Sequence, residues 1–455
     1  GIWMKKLFVG AEFKALIMLA FPILCTQLLQ VGMGTTDIAI TGHFDALVQS
    51  GVAMGVFVWN PILLFASGTL MAVTILTAHQ FGANRMKRIP TIFHGGVSVA
   101  LVFSVIAITI MWNSEYILRF FEVQDDVIPL SVDYLRALSI GVPAIFLFNT
   151  LRCVCEGVAR PVPVTIVTFI GFVINGVMNY FLVYGYEPIG LKSYGVIGSG
   201  LGTAFAMWSM LVSMLMFYRV EPRLKTLNLF RYRARIFKQV KGLLQVGVPN
   251  GASIFAEVAL FSVSGLILGR FGEIVINSHQ IALNITSLSF MVPLSTSFAL
   301  IALIGQRMGR KDYEGAIRIA KMGRLTCFGI MIGTGIYLFA LKSYLPMVFT
   351  DDPDILKLSA HLLIFSIIFQ LPDGLQIAAA GCLRGMKDTK APMVIGITSY
   401  WLVALPIGYY LAVTKNMQAE GVWIGLIIGL TCSAILSNLR LQWQFKRMKR
   451  MYGLT

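Results

Sequence analysis

Residues 219–241 read RVEPRLKTLNLFRYRARIFKQVK, with eight basic side chains from Arg219 to Lys241 and the single acid Glu221. This is the longest polar interruption in a chain of 455 residues that is 57% hydrophobic and only 13% charged. Ordinary soluble chains are about 45–50% apolar and about 25% charged, so too little polar surface is present to coat a water-soluble fold. A helix needs about 20 mostly apolar residues to cross the roughly 30 Å hydrocarbon layer of a bilayer. Working outward from the basic segment, six such runs precede it, near 15–40, 47–78, 91–112, 129–151, 162–184 and 195–218. Six follow it, near 242–268, 274–304, 318–340, 354–381, 392–413 and 420–443. The expected fold is therefore an all-α integral membrane protein with twelve transmembrane helices.

The halves are related. A shift of 227 residues carries Pro22 onto Pro249, Gly42 onto Gly269, Phe44 onto Phe271 and Gly82 onto Gly309, and nearly the same shift carries Glu156-Gly157 onto Arg384-Gly385. Six spans per repeat leave the two copies parallel, so two six-helix lobes are expected about a pseudo-two-fold axis along the membrane normal, with a central site between them. The expected division is an amino-terminal lobe 1–218, a basic cytoplasmic linker 219–241 and a carboxy-terminal lobe 242–455. Basic residues mark the cytoplasmic ends of spans. With both termini inside, the basic segment and Arg85, Lys87, Arg88, Arg307, Arg310 and Lys311 fall inside, while Glu115, Asp125, Asp126, Asp351 and Asp352 fall outside. The net charge of +16 then reports orientation, and nucleic acid is removed as a partner. Residues 1–10 lack a cleavable small-residue pattern, so no signal peptide is expected.

Three acids sit well inside the apolar runs: Asp37 on the first, Glu257 on the seventh and Asp373 on the tenth. A charge there costs at least about 3 kcal/mol, so such groups take up a proton or cation or face a wet cavity. A structural hydrogen bond between helices is the competing reading, weakened because no basic residue lies deep in a run to pair with them. Asn175 and Asn179, four residues apart, share one face of the fifth helix, where amides can hold a carboxyl or coordinate a cation or merely tie helices together. Thr203 on the sixth adds a hydroxyl. Pro22 lies mid-span and permits a kink. Asp351, Asp352 and Asp354 form a cluster that reads first as a solvated helix start. The six cysteines sit in or beside apolar runs without metal spacing, the five histidines form no spaced pair, and no phosphate-binding lysine motif occurs. No cofactor, no metal chemistry and no enzyme activity are expected.

Particular motifs carry a resemblance. Pro22 with GTTDIAITG (34–42), QFGA (80–83), EVALF (257–261), PDGLQ (372–376) and GCLRG (381–385), together with the duplication, make the chain similar to the multidrug and toxic compound extrusion transporters, in their NorM-like bacterial branch. The resemblance covers almost all of the chain. It implies alternating access, export of cationic or amphipathic drugs in exchange for H+ or Na+, and a bacterial inner-membrane location. By the same resemblance Asp37, Asn175, Asn179 and Thr203 form an ion-coupling site linked to bending of the first helix, Glu257 and Asp373 form a cation site open to Na+, and Asp351 and Asp352 with Asp37 contact cationic drugs. H+ is favoured because one carboxylate among neutral amides can be neutralised by one proton. A monomer is expected, since two lobes already enclose a site. The rival reading is a lipid-linked oligosaccharide flippase of the same superfamily, which calls for deep Arg or Lys that the runs lack. A major-facilitator exporter, suggested by GQRMGRK (305–311), lacks the matching loop in the first half.

The orientation is tested by reporter fusions. Green fluorescent protein at the carboxy terminus should fluoresce, and alkaline phosphatase placed in 185–194 should be active; the reverse pair would invert the topology.

Overall fold

The structure, a computed structural model, describes residues 2–120, 123, 125–231, 236–268, 271, 273–348 and 350–455. Arg233 and Arg235 of the basic segment, and Gly269 of the repeat, lie outside the described residues. Twelve helices long and apolar enough to span a bilayer follow one another: α1 (Gly10–Thr41), α2 (Leu47–Gly82), α3 (Met86–Trp112), α4 (Ile128–Gly157), α5 (Val162–Tyr184), α6 (Gly195–Val220), α7 (Gln239–Gly265), α8 (Ile281–Gly309), α9 (Tyr313–Leu341), α10 (Pro353–Gly385), α11 (Lys390–Thr414) and α12 (Ala419–Met451). Among the described residues the only β-pairing is one bridge, Tyr186 to Leu191.

Short polar residues start several helices by satisfying orphan N–H groups. The Asp45 carboxylate accepts from Leu47 N ahead of α2 (2.7 Å), Asp312 accepts from Gly315 N at α9 (3.0 Å), and Asp352 accepts from Asp354 N at α10 (2.9 Å). Gly185, with φ of +78°, ends α5 in a conformation that Cβ-bearing residues avoid. Burial works against the Asp312 carboxylate, but hydrogen bonds from Arg307 and the Gly315 amide outweigh it and hold the group below the usual carboxylate range.

The chain packs as two compact units, one formed by Cys25–Gly251 and the other by Gly1–Leu24 with Ala252–Thr455. The divisions at 24/25 and 251/252 stand at the same place in the repeat, just after Pro22 and Pro249, each inside a continuous helix. Proline lacks the N–H that would close the helix ladder one turn back, so both helices are loosened close to where they pass from one unit to the other. The described part of the basic segment is no free tether, because Leu224, Leu227 and Leu229 are buried in the core of the first unit. In the second unit, the start of α1 is fastened by Glu12, 4% exposed, which accepts from Arg318 Nε (2.9 Å) and Nη2 (2.6 Å).

Helices in lipid gain nothing from hiding apolar surface from one another, so close approach rests on small side chains. Gly198 and Gly202 put a small-x-x-x-small pair on α6, and Gly425 and Gly429 put the same pair on α12, each related by the repeat shift. A Cβ at Gly198 would overlap the Leu182 carbonyl, and one at Gly202 would fall 2.9 Å from the Asn179 amide nitrogen. In the other unit a Cβ at Gly425 would lie 2.6 Å from the Gly408 Cα. The partner there is irregular: Ile397–Ala404 and Tyr410–Thr414 of α11 are π-helical, a widening that the apolar pattern of the run did not signal.

Gly198→Val and Gly425→Val should each lower the melting temperature of the purified protein, because overpacking against backbone costs about 1–3 kcal/mol. Gly333→Ala, where nothing stands within 4 Å of the added carbon, is the control and should melt as the parent does.

Candidate functional site

In the first unit, α1, α5 and α6 converge on one carboxylate. Asp37 is 6% exposed, and Asn175 and Asn179 are fully buried. Asn175 Nδ2 donates to Asp37 Oδ1 (2.7 Å), Asn179 Nδ2 donates to Asn175 Oδ1 (3.0 Å), and Ser199 Oγ donates to Asn179 Oδ1 (2.7 Å). Thr203 Oγ1 donates to Asp37 Oδ2 at 3.2 Å. Along Ser199, Asn179 and Asn175 each bond points its hydrogen toward Asp37, while the single Thr203 hydrogen can go to Asp37 Oδ2 or to the Ser199 carbonyl 3.1 Å away. Such a polarised row suits an ionised carboxylate, which only accepts, and it places no cation beside the charge. Thr41 Oγ1 donates to the Asp37 carbonyl (2.8 Å) and Tyr184 Oη donates to the Ile40 carbonyl (3.2 Å), fixing this end of α1.

The local sequence explains the convergence. Spacing of four puts Asn175 over Asn179, and again Ser199 over Thr203, on single helix faces, while Gly202 lets α6 press against the backbone of Asn179. The structure thus brings together Asp37, Asn175, Asn179 and Thr203. Sequence reasoning missed Ser199, which the same four-residue spacing from Thr203 could have found. It also missed Tyr134 on α4, 2% exposed and within electrostatic reach of Asp37, with its ring against Gly55; no local pattern marks it.

The second unit holds a different arrangement. Glu257 on α7 lies within electrostatic reach of Arg384 and Asp373 on α10 and of Tyr400 on α11. Asp373 and Arg384 are each 4% exposed. The expectation that no basic residue lies deep enough to face these acids is corrected here. Helix α10 runs past the apolar stretch to Gly385 and carries Arg384 into packed protein, where its Nε has no protein partner. Arg152, near Glu156 at the end of α4, is buried in the same way. The π-helical turn of α11 presents Tyr400 to this group, and its neighbour Trp401 donates from Nε1 to the Ala256 carbonyl beside Glu257 (3.2 Å). The side-chain oxygens of Gln370 and Gln376, three residues on either side of Asp373, are buried without a donor. Among the described residues no cluster of three or more His, Cys, Asp or Glu forms a metal cage.

Other candidates sit apart from both groups. Pro22 lies inside the continuous helix that carries Asp37. Asp351 and Asp352 are exposed, and Asp352 is engaged in capping α10. The histidines, read as unpaired, include one that the fold pairs: His361 Nε2 meets Glu420 Oε1 across α10 and α12.

Comparison with known proteins follows the same two-part layout. The MatE family profile matches residues 22–181 and again 249–410, one match per repeat. The chain is 34% identical over 431 residues to a protein of Acinetobacter baylyi named probable multidrug resistance protein NorM, covering 94% of this chain and 96% of that one. It is 34% identical over 439 residues to the multidrug resistance protein NorM of Aliivibrio fischeri, covering 95% of each. Among solved structures it resembles a eukaryotic MATE transporter, AtDTX14, with a TM-score of 0.86 at 16% identity over 98% of this chain and 99% of that one. It also resembles a MATE protein in a bent conformation, with a TM-score of 0.88 at 17% identity over 98% of each chain. Twelve spans, a duplicated profile match and relatives aligned nearly end to end all agree that the chain belongs to the MatE family of membrane transporters.

Proposed function

We propose that this transporter is a multidrug efflux antiporter of the bacterial inner membrane that exports cationic or amphipathic compounds in exchange for H+, working as a monomer with both termini in the cytoplasm. The observation that carries this reading is the one-way row of donors from Ser199 through Asn179 and Asn175 to Asp37. Protonation gives one oxygen of Asp37 an O–H donor and makes it a weaker acceptor. The bond to it from Asn175 or from Thr203 is weakened and the new donor needs a partner, which favours turning the amides over or moving the helix. Because Thr41 and Tyr184 hold the adjoining turn of α1, the change is passed along that helix toward Pro22, where a missing hydrogen bond makes bending cheapest. Bending at Pro22 closes the cavity of the first unit and expels the drug.

Na+ is the second reading, supported by Glu257, Asp373 and the buried glutamine oxygens. Arg384 weighs against it, since a tethered guanidinium already offsets part of the charge a sodium ion would balance. H+ at Asp37 meets no such competitor. The drug-contact role of Asp351 and Asp352 rests on their negative charge at the outer start of α10, and Asp352 would have to share it with its capping bond.

In everted membrane vesicles, an imposed pH gradient without sodium should drive drug transport. A requirement for a sodium gradient, abolished by Glu257→Gln or Asp373→Asn, would replace H+ with Na+. Asp37→Asn should stop turnover while leaving drug binding measurable, because the amide cannot release a proton; transport at the parent rate would sink the mechanism. Ser199→Ala removes only the far end of the donor row, a hydrogen bond worth about 1 kcal/mol, so transport should fall about fivefold. Pro22→Ala should slow turnover with little change in the concentration giving half-maximal rate.

A further inference from the structure

At one end of the second unit, a concave pocket of about 300 Å3 opens where three even-numbered spans finish. Met308 is one residue short of the end of α8, Met386 directly follows α10, and Met451 closes α12; with Met448 they give the pocket an apolar, deformable wall. The remaining wall is basic. Lys387, Arg440 and Arg447 line it, against the single acid Asp388. That acid is already engaged, accepting from Arg440 Nε and Gln444 Nε2, both at 2.8 Å. Lys387 and Arg447 are exposed and meet no carboxylate among the described residues.

Beside two of the lining arginines stands Trp443. Its ring lies under both arginines, 4.2 Å from the Arg440 guanidinium carbon and 5.5 Å from that of Arg447. An exposed tryptophan at the end of a span is the usual sign of the headgroup layer. Lys387 is the left-handed residue that caps the end of α10, φ +67°, as Ala159 and Lys311 do after α4 and α8. The first unit has its own version below the end of α6, a cavity of about 370 Å3 lined by Arg219, Lys225 and Arg231 with Tyr218 and Phe230. The repeat shift carries Tyr218–Lys225 onto Phe445–Tyr452.

We infer that the pocket around Lys387 binds a phosphate-bearing anion, and that its source is the headgroup of an acidic phospholipid. The phosphodiester would sit between Lys387 and Arg447, with Arg440 held ready by Asp388, and the glycerol and first methylenes would lie along the methionines. A free phosphate would use the cations but leave the methionine wall idle. Basic pockets between spans at the cytoplasmic side take acidic lipid headgroups by this chemistry. The inference is independent of which ion drives transport.

The test uses the full-length protein in nanodiscs of phosphatidylcholine doped with a phosphatidylglycerol that carries a photoreactive acyl chain, with the labelled peptides mapped by mass spectrometry. Labelling is expected on peptides containing Met386–Asp388 and Met448–Tyr452. Each surface cation contributes about 1 kcal/mol to acidic-lipid binding, so Lys387→Gln with Arg447→Gln should cut labelling there about thirtyfold. Lys387→Arg should keep it, and Lys87→Gln with Arg88→Gln, exposed bases at the start of α3 on the same face, should leave it unchanged. Unlabelled phosphatidylglycerol should compete. Equal competition by phosphatidylcholine, or equal loss in the Lys87/Arg88 control, would overturn the site; competition by inorganic phosphate at the same concentration would overturn the lipid as its source.

Discussion

The hydrogen bond from Asn175 Nδ2 to the Asp37 carboxylate, 2.7 Å long and buried, is the contact on which the first unit depends. A carboxylate in a membrane span is tolerated only if its charge is met or its proton is kept, and here the charge is met by neutral donors alone. That choice makes the site responsive. An arginine would satisfy Asp37 permanently, whereas a row of amides and hydroxyls satisfies it in one protonation state and opposes the other. Holding the row together requires α6 to press on α5, which Gly198 and Gly202 allow, and requires α1 to present Asp37 at the right height, to which the bond from Tyr184 to the Ile40 carbonyl contributes.

The second unit answers the same constraint by another route. Glu257 lies within electrostatic reach of Arg384, brought in because α10 continues beyond its apolar stretch, and of Tyr400, brought in by a π-helical turn. Its glycine pair on α12 mirrors that on α6, so the packing device has been kept while the polar group has diverged. The two units also share the crossing of α1 and α7 beside Pro22 and Pro249. The helix that carries Asp37 thus belongs to one unit at Glu12 and to the other at Asp37.

Much of this was legible in the residues. Span number follows from hydropathy counted along the chain, because a bilayer imposes one length on every helix, and the duplication follows from the repeat shift. The acids in the spans stood out for the same reason, since any charge there is costly wherever the helix packs. Asn175 and Asn179 were found by spacing on one helix. Ser199 was within reach of that argument and Tyr134 was not, because it comes from a helix distant in sequence and is placed only by the packing of its ring against Gly55.

By itself, then, the sequence determined the twelve spans, the repeat and the three carboxylates that had to be answered. The tertiary structure decided which groups answer them: a one-way row of donors at Asp37, a guanidinium at Glu257, and the division of the chain beside its two prolines instead of in the basic segment. The reason is physical. Hydropathy and charge act on each residue through its solvent, which the sequence already specifies, whereas a hydrogen bond or ion pair depends on which two helices touch, and that is settled only when glycines, prolines and irregular turns have fixed how closely the backbones approach.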